Sequence, residues 1–103
     1  MSKVLDENLI YQVLSVVEEI PEGYVSTYGT IAYLIDHPKN ARLVGKILSM
    51  SEYYGDYPCH RVVNASGRLA PNFPLQKDLL EKEGITFKDA HHVDLKKHLW
   101  QVK

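Results

Sequence analysis

Apolar residues recur at helical spacing in the first part of the chain. Four of them follow an i, i+3, i+4, i+7 pattern, namely Ile10, Val13, Leu14 and Val17. This spacing predicts one buried face of an amphipathic helix over residues 6–20, with Asp6 as its N-cap. The helix is expected to end at residues 21–23, where a proline and a glycine interrupt the pattern.

Two more short helices are predicted after an apolar step at Tyr24 and Val25. The first, capped by Ser26 or Thr27, runs to about residue 35, and its inward positions are Ile31, Leu34 and Ile35. A break at residues 37–38, which include a proline, separates it from a helix over about residues 39–50. Two short helices around a turn of about three or four residues have the outline of a helix-turn-helix.

The third helix has two different faces. At about 100° per residue, one side holds Ala41, Val44, Ile47 and Leu48, and the opposite side holds Arg42, Gly45, Lys46 and Ser49. The second side therefore carries two cations and two small residues. A mid-helix glycine costs about 1 kcal/mol relative to alanine. Close approach of the backbone to another surface would explain Gly45, and so would close packing on a neighbouring helix.

The second half of the chain predicts shorter elements. In order, they are a loop over residues 51–57, a segment over 57–63 that leads into a short apolar strand, a turn over 64–67 and a proline-bearing loop over 68–74. Leu75, Leu79 and Leu80 indicate a fourth helix that ends at Gly84, and residues 85–87 form a strand or an extended exit. The tail, residues 88–103, should pack on the core through four residues, which are Val93, Leu95, Leu99 and Trp100.

Composition narrows the class of protein. The chain has 103 residues, 45% hydrophobic and 24% charged, which favours one globular domain over residues 1–103. No apolar run approaches the roughly 18 residues of a membrane span, and the N-terminus lacks a signal-peptide core. Cys59 is the single cysteine, which excludes an intrachain disulfide and a four-cysteine zinc site. We expect a cytoplasmic monomer without a membrane partner, a metal site or a cofactor.

Charge is unevenly distributed although the net charge is only −1. Residues 37–50 and 57–77 contain basic residues and no acidic one, whereas residues 1–22 contain one lysine and five acidic residues. Two acid-free basic stretches suggest one positive face that would attract a polyanion such as DNA. The alternative is scattered, solvated charge.

Cys59 is the first candidate for chemistry. A lone cysteine is usually a small buried hydrophobic residue. Here, however, Pro58 precedes it, His60 follows it, and Arg61 adds a nearby positive charge that would favour the nucleophilic thiolate. A base needs a third group to orient it, and Glu83 could serve unless it is simply a solvated helix-end residue.

A resemblance covers most of the chain, from about residue 9 to residue 87. One segment of the chain is Pro58-Cys59-His60-Arg61-Val62-Val63. It resembles the active-site signature of the O6-alkylguanine-DNA alkyltransferases (methylated-DNA–protein-cysteine methyltransferases). Residues 23–29 and 40–45 resemble that family's helix-turn-helix segment, and residues 79–84 look like its closing helix. The resemblance implies a mainly α domain with short strands and a winged-helix-like, helix-turn-helix DNA-binding unit.

The resemblance also implies a mechanism. The helix-turn-helix binds the minor groove of double-stranded DNA, O6-alkylguanine is rotated into a pocket, and Cys59 takes the alkyl group irreversibly in a single turnover. His60 is then the general base acting through water, and Glu83 orients it. Tyr28 assists rotation and can donate to the base, while Arg42 fills the gap in the duplex. The DNA-binding set would be Tyr28, Ala41, Arg42, Gly45, Lys46, Ser49 and Arg61, and the lesion pocket would comprise Tyr28, Pro58, Val62 and Phe73.

Two other functions stay open from the sequence. The short chain and its Leu99-Trp100-Gln101 ending look more like the alkyltransferase-like proteins, which bind alkylguanine without transfer and flag it for excision-repair proteins. Those proteins usually carry tryptophan at the cysteine position. The family's flap is here a shorter, proline-bearing segment over residues 69–74, and Ser51 stands where an asparagine usually braces the site. A plain helix-turn-helix regulator is the third reading, but it leaves the cysteine signature unexplained.

Overall fold

The computed structural model describes residues 7–102, and their order of elements confirms a mainly α fold with short strands. The helices are α1 (Glu7–Glu19), α2 (Tyr28–Leu34), α3 (Ala41–Ser49), α4 (Gln76–Lys82) and α5 (Leu95–His98). The strands are β1 (Ser26–Thr27), β2 (Val62–Val63), β3 (Phe87–Asp89) and β4 (His92–Val93), and two 3-10 turns cover Ser51–Tyr53 and Cys59–Arg61. No helix within residues 7–102 is long and apolar enough to cross a membrane.

The amphipathic face of α1 is confirmed residue by residue. The buried residues of the helix are the four predicted ones, Ile10, Val13, Leu14 and Val17. They form the main hydrophobic core with buried side chains of α2 and α3 and with Val62. The predicted N-cap, Asp6, lies outside the described residues.

Helices α2 and α3 form the predicted helix pair, joined by a longer connection than expected. Thr27 caps α2, since its hydroxyl accepts a hydrogen bond from the Thr30 amide at 3.1 Å. Two residues after the helix, Asp36 has a left-handed backbone conformation, with φ of 68°. The next amide, that of His37, then donates to the Ala32 carbonyl at 2.8 Å. Because the chain needs the residues up to His37 to complete this helix ending, α3 begins at Ala41 and not near residue 39.

A parallel pairing brings the start of α2 beside the cysteine segment. In the pair β1–β2, Ser26 lies opposite Val62 and Thr27 lies opposite Val63. The short apolar strand expected at the end of residues 57–63 is β2, and Cys59–Arg61 directly before it forms a 3-10 turn. The Arg61 amide donates to the Pro58 carbonyl at 3.0 Å, which closes that turn.

The C-terminal part packs around a second, smaller core. It contains Val25, Val63, Leu80, Ile85 and Val93, with Leu95 packed against it. The predicted tail anchors are confirmed, since Trp100 packs on the main core and Leu99 forms a β-bridge with Val25. The extended exit forms its strand slightly later than predicted, as β3, which pairs antiparallel with β4.

The leucines that indicated α4 do not all lie on its inner side. Leu75 is 61% exposed, whereas Gln76 is fully buried beside Leu80 on the inner side of the helix. Gly84 follows α4 with φ of +88°, as expected for a residue that ends a helix.

Two glycines with the same backbone conformation provide a matched test of the fold. Gly67 and Gly84 both have φ of +88°, but a Cβ on Gly67 would lie 2.7 Å from the Val93 carbonyl oxygen, while one on Gly84 would meet nothing within 4 Å. We expect Gly84→Ala to lower the free energy of unfolding by about 1 kcal/mol, because of its left-handed backbone. Gly67→Ala should cost about 3 kcal/mol, because the β-bridge region must also move. Urea unfolding measures both, and equal losses would contradict the packing described around Gly67.

Candidate active site and DNA-facing surface

Cys59 lies on the 3-10 turn that precedes β2, with its side chain half-buried against the main core. The turn points the next two residues, His60 and Arg61, towards the end of α4. We call Cys59–Arg61 the catalytic turn, because it carries the candidate nucleophile and the candidate base. In a regular strand His60 and Arg61 would point to opposite faces, whereas the 3-10 turn lets both side chains reach Glu83.

His60 is paired with Glu83. The distance between His60 Nε2 and Glu83 Oε2 is 2.7 Å, and 16% of the histidine side chain and 10% of the glutamate side chain are exposed. Because an ionised carboxylate can only accept, neutral His60 must carry its proton on Nε2 to make this contact. Nδ1 is then the basic nitrogen of the ring. The pairing expected between the candidate base and its orienting carboxylate is present.

Glu83 receives hydrogen bonds from two separate parts of the chain. Arg61 donates to it from Nε and from a terminal nitrogen, the latter at 2.9 Å from Oε2. The amide of Gly23, in the turn after α1, donates to Oε1 at 3.1 Å. The other terminal nitrogen of Arg61 donates to the Ile20 carbonyl at 2.8 Å. The carboxylate therefore links the end of α1, the catalytic turn and the end of α4.

These contacts decide the ionisation of Glu83. Burial alone raises the pKa of the carboxyl group, but the hydrogen bonds from Arg61, His60 and Gly23 outweigh burial and lower the pKa to about 2. Glu83 is consequently ionised at neutral pH, so it can accept a hydrogen bond from His60 Nε2.

The Cys59 thiol differs from the expectation. Burial raises its pKa, a hydrogen bond with Ser51 lowers it, and the Asp56 carboxylate raises it, with a net upward shift. The expected stabilisation of a thiolate by Arg61 is wrong, because that guanidinium is paired with Glu83. The resting sulfur is a protonated thiol at neutral pH.

Tyr28, the first residue of α2, is the aromatic neighbour of this site. Burial raises the pKa of its phenol, and electrostatic interaction with Cys59 raises it further. Its ring also faces α3, since a Cβ on Gly45 would lie 3.9 Å from it. That distance is ordinary van der Waals contact, so this packing alone does not require a glycine.

The outer face of α3 is largely as predicted. Arg42, Lys46 and Ser49 are exposed, whereas Ala41 is half-buried at the first turn. Arg61, expected among the DNA contacts, is not part of this surface, because it is only 16% exposed and its guanidinium is bound to Glu83 and Ile20. The free cations of this face come from α3 itself.

Comparison with known proteins identifies the family of this chain. Residues 8–85 match the family described as 6-O-methylguanine DNA methyltransferase, DNA binding domain. The chain belongs to this family.

Relatives and solved structures of this alkyltransferase family match over most of the chain. A DNA base-flipping protein of Vibrio parahaemolyticus is 36% identical over 98 residues, which cover 92% of this chain and 98% of the relative. The crystal structure of the Schizosaccharomyces pombe alkyltransferase-like protein with DNA containing O6-carboxymethylguanine matches with a TM-score of 0.87 at 30% identity, covering 96% of this chain and 100% of that one. The Mycobacterium tuberculosis O6-methylguanine methyltransferase has a TM-score of 0.64 at 30% identity, covering 79% of this chain and 51% of that chain.

The alkyltransferase-family residues expected to form a lesion pocket are not all at an accessible surface. Tyr28 and Pro58 are half-buried near the thiol, and Phe73 is half-buried in the segment before α4. The Val62 side chain is completely buried in the main core, so its expected place in the pocket wall is wrong for the side chain. Residues 7–102 contain no group of three His, Cys, Asp or Glu side chains that could hold a metal ion.

Sequence reasoning missed two contributors to the site. The Gly23 amide binds Glu83, and the buried Gln76 side chain binds the backbone of the catalytic turn. Gln76 had a detectable signal, because it lies four residues before the inward Leu80 and so on the same helix face. The Gly23 contact spans 60 residues in sequence, and no local pattern indicates it.

Replacing Glu83 tests the carboxylate link through the pH dependence of stability. The folded pKa of about 2 is below the usual 4.5, so the stabilisation is complete above pH 4.5 and is lost as the pH falls towards 2. Glu83→Gln should lower the free energy of unfolding at pH 7 by about 2 kcal/mol and flatten the decline between those pH values. Urea unfolding at several pH values measures this, with the exposed Glu18→Gln as control. A variant curve parallel to the wild type would contradict the assignment.

Proposed function

We propose that the protein binds duplex DNA containing O6-alkylguanine, rotates the damaged nucleotide out of the stack and transfers the alkyl group to Cys59. The observation that carries this proposal is the 2.7 Å pair between His60 and an ionised Glu83, directly after the cysteine in the chain. A cysteine, a base and an orienting carboxylate are the three groups that nucleophilic catalysis by a thiol requires.

The exposed face of α3 supports DNA binding. Arg42 and Lys46 are exposed cations on one side of the helix, and Gly45 between them presents no side chain. Family relatives have been crystallised with DNA, one of them with O6-carboxymethylguanine in it. We infer that α3 enters the groove, that Arg42 occupies the gap in the duplex and that the rotated base reaches Tyr28 and Cys59. Rotation costs a few kcal/mol, and less for a mispaired base.

The transfer step is a displacement at the alkyl carbon. The Cys59 proton passes through water to neutral His60, and the sulfur forms a bond to the carbon as the bond from that carbon to O6 breaks. The electron pair stays on the guanine, which takes a proton from the Tyr28 hydroxyl. Proton return from His60 to Tyr28 through solvent restores both groups. Cys59 remains alkylated, so each molecule acts once, and no cofactor takes part.

A second candidate is lesion binding without transfer, followed by recruitment of excision-repair proteins. One observation favours it, the upward-shifted pKa of the Cys59 thiol, which leaves little thiolate in the free protein. Relatives that match over nearly their whole length are named for base flipping or as alkyltransferase-like. In this candidate Cys59 would contact the alkyl group without reacting.

Intact-protein mass spectrometry separates the two candidates. The protein is incubated with a duplex that contains one O6-methylguanine, and an identical duplex with guanine is the control. We expect wild type to gain one methyl group, and Cys59→Ala to gain none while it binds the lesion nearly as well. Quantitative binding of the lesion by wild type without a mass change over hours would reject transfer and favour the second candidate.

Arg42→Ala tests the role of α3 in both candidates. The variant should bind the alkylated duplex more weakly with an unchanged melting temperature, because Arg42 is exposed. If Arg42 neutralises a phosphate, the slope of log affinity against log salt should fall by about one. Lys82→Ala, an exposed cation of α4, is the matched control. Unchanged affinity at two salt concentrations would argue against α3 as the DNA-binding helix.

A further inference from the structure

Gln76 is a buried polar side chain to which the proposed reaction assigns no part. It is the first residue of α4 and is fully buried. Its amide nitrogen donates to the His60 carbonyl at 3.1 Å and to the Val62 carbonyl at 2.9 Å. Its amide oxygen accepts from the Ala70 amide at 2.7 Å. All of its donor capacity is used, so the side chain is held in one position.

These partners belong to two different parts of the site. The His60 and Val62 carbonyls are on the catalytic turn and the residue that follows it. Ala70 lies in the flap, the proline-bearing segment over residues 69–74. The Leu69 amide also binds the His91 carbonyl at 3.0 Å, so the flap is fixed at its start. Gln76 joins the second residue of the flap to the backbone of the turn that carries Cys59.

Helix α4 holds His60 from both of its ends. Gln76, at the start, binds the backbone carbonyl of His60, and Glu83, the C-cap, binds its ring. The two contacts are seven residues apart, which is about two turns of one continuous helix. The backbone and ring of His60 are therefore positioned by the same rigid element, and Gln76 connects this element to the flap.

We propose that Gln76 is a positioning residue that couples the flap to His60, so that the position of the flap sets the geometry of the catalytic turn. The inference rests on the proposed function, because it takes His60 as the base. A flap that moves to accommodate a rotated base must carry Gln76 with it or leave buried polar groups without partners. Small displacements of a base from its working position strongly reduce the rate of transfer.

Hydrogen exchange in the wild-type protein gives the first test. The Ala70 amide is expected to be protected to the same extent as the Val62 and Val63 amides, because one side chain holds both segments. Binding of a duplex with O6-methylguanine should change the exchange of Ala70 and the ring signals of His60 together. An Ala70 amide that exchanges as fast as an unstructured loop would overturn the proposal without any variant.

Substitution gives the second test. Gln76→Met has a similar shape and lacks all three hydrogen bonds, and Gln12→Met, on the exposed side of α1, is the matched control. We expect Gln76→Met to speed Ala70 exchange and to lower the transfer rate constant at saturating DNA by at least about tenfold. The dissociation constant for the lesion should change by less than about threefold, a split that general destabilisation would not produce. A folded variant with the wild-type rate and wild-type Ala70 exchange would refute the coupling.

Gln76→Glu separates the two halves of the contact. Buried beside two carbonyls, its carboxyl group is protonated and keeps one donor in place of two, while its other oxygen can still accept from Ala70. The variant should therefore restore protection of Ala70 with only part of the rate, and recovery of the full rate would contradict the assigned role of the two donors. If Gln76→Met does not fold, this variant and wild-type exchange decide the question.

Failure of the proposed function would be distinguishable from failure of this inference. If wild type binds the lesion but gains no methyl group, transfer is rejected, and the coupling is still read from Ala70 exchange and from the His60 ring signals. Base rotation, followed by 2-aminopurine fluorescence beside the lesion, then replaces the rate. An unchanged Ala70 amide and unchanged His60 signals in folded Gln76→Met would reject the coupling whether or not transfer occurs.

Discussion

The Glu83 carboxylate is the interaction on which the rest of the site depends. It lies at the C-terminal end of α4, where the helix dipole disfavours an anion, and it is mostly shielded from water. Both effects are overcome by donors from Arg61, His60 and Gly23, so the ion is stable only when three distant segments meet. The contacts of the Glu83 carboxylate therefore form only in the folded protein. A partly folded chain would not hold the histidine in place.

The use of Arg61 inside the protein has consequences for the two surfaces of the site. Its charge compensates Glu83 and is not available to stabilise a thiolate or to contact phosphate. Attraction of DNA then falls to the exposed cations of α3, such as Arg42 and Lys46. Other exposed cations, such as Lys82 on α4, lie outside the helix proposed to meet the polyanion.

Sequence patterns predicted the features that depend on residues close together in the chain. The buried face of α1 follows from 3.6-residue periodicity, and Gly84 at the end of α4 follows from its conformational freedom. The pairing of His60 with Glu83 was proposed because a base needs an orienting group, and the family resemblance supplied its position. Features that depend on distant contacts were not predicted. The turn at Cys59, the inward placement of Gln76 and the burial of Arg61 all depend on how α4 packs against the catalytic turn.

A protonated resting thiol suits the single-turnover transfer proposed for Cys59. If Cys59 were a thiolate in the free protein, small electrophiles and oxidants would consume it before a lesion was found. Burial and Asp56 keep the proton on sulfur, while the ionised Glu83 holds His60 in the tautomer that can accept it. In the proposed transfer, the thiol loses its proton only when a bound guanine has placed its alkyl carbon beside the sulfur. The same raised pKa thus protects the proposed alkyl acceptor, and it makes transfer depend on the alignment of His60 that α4 provides.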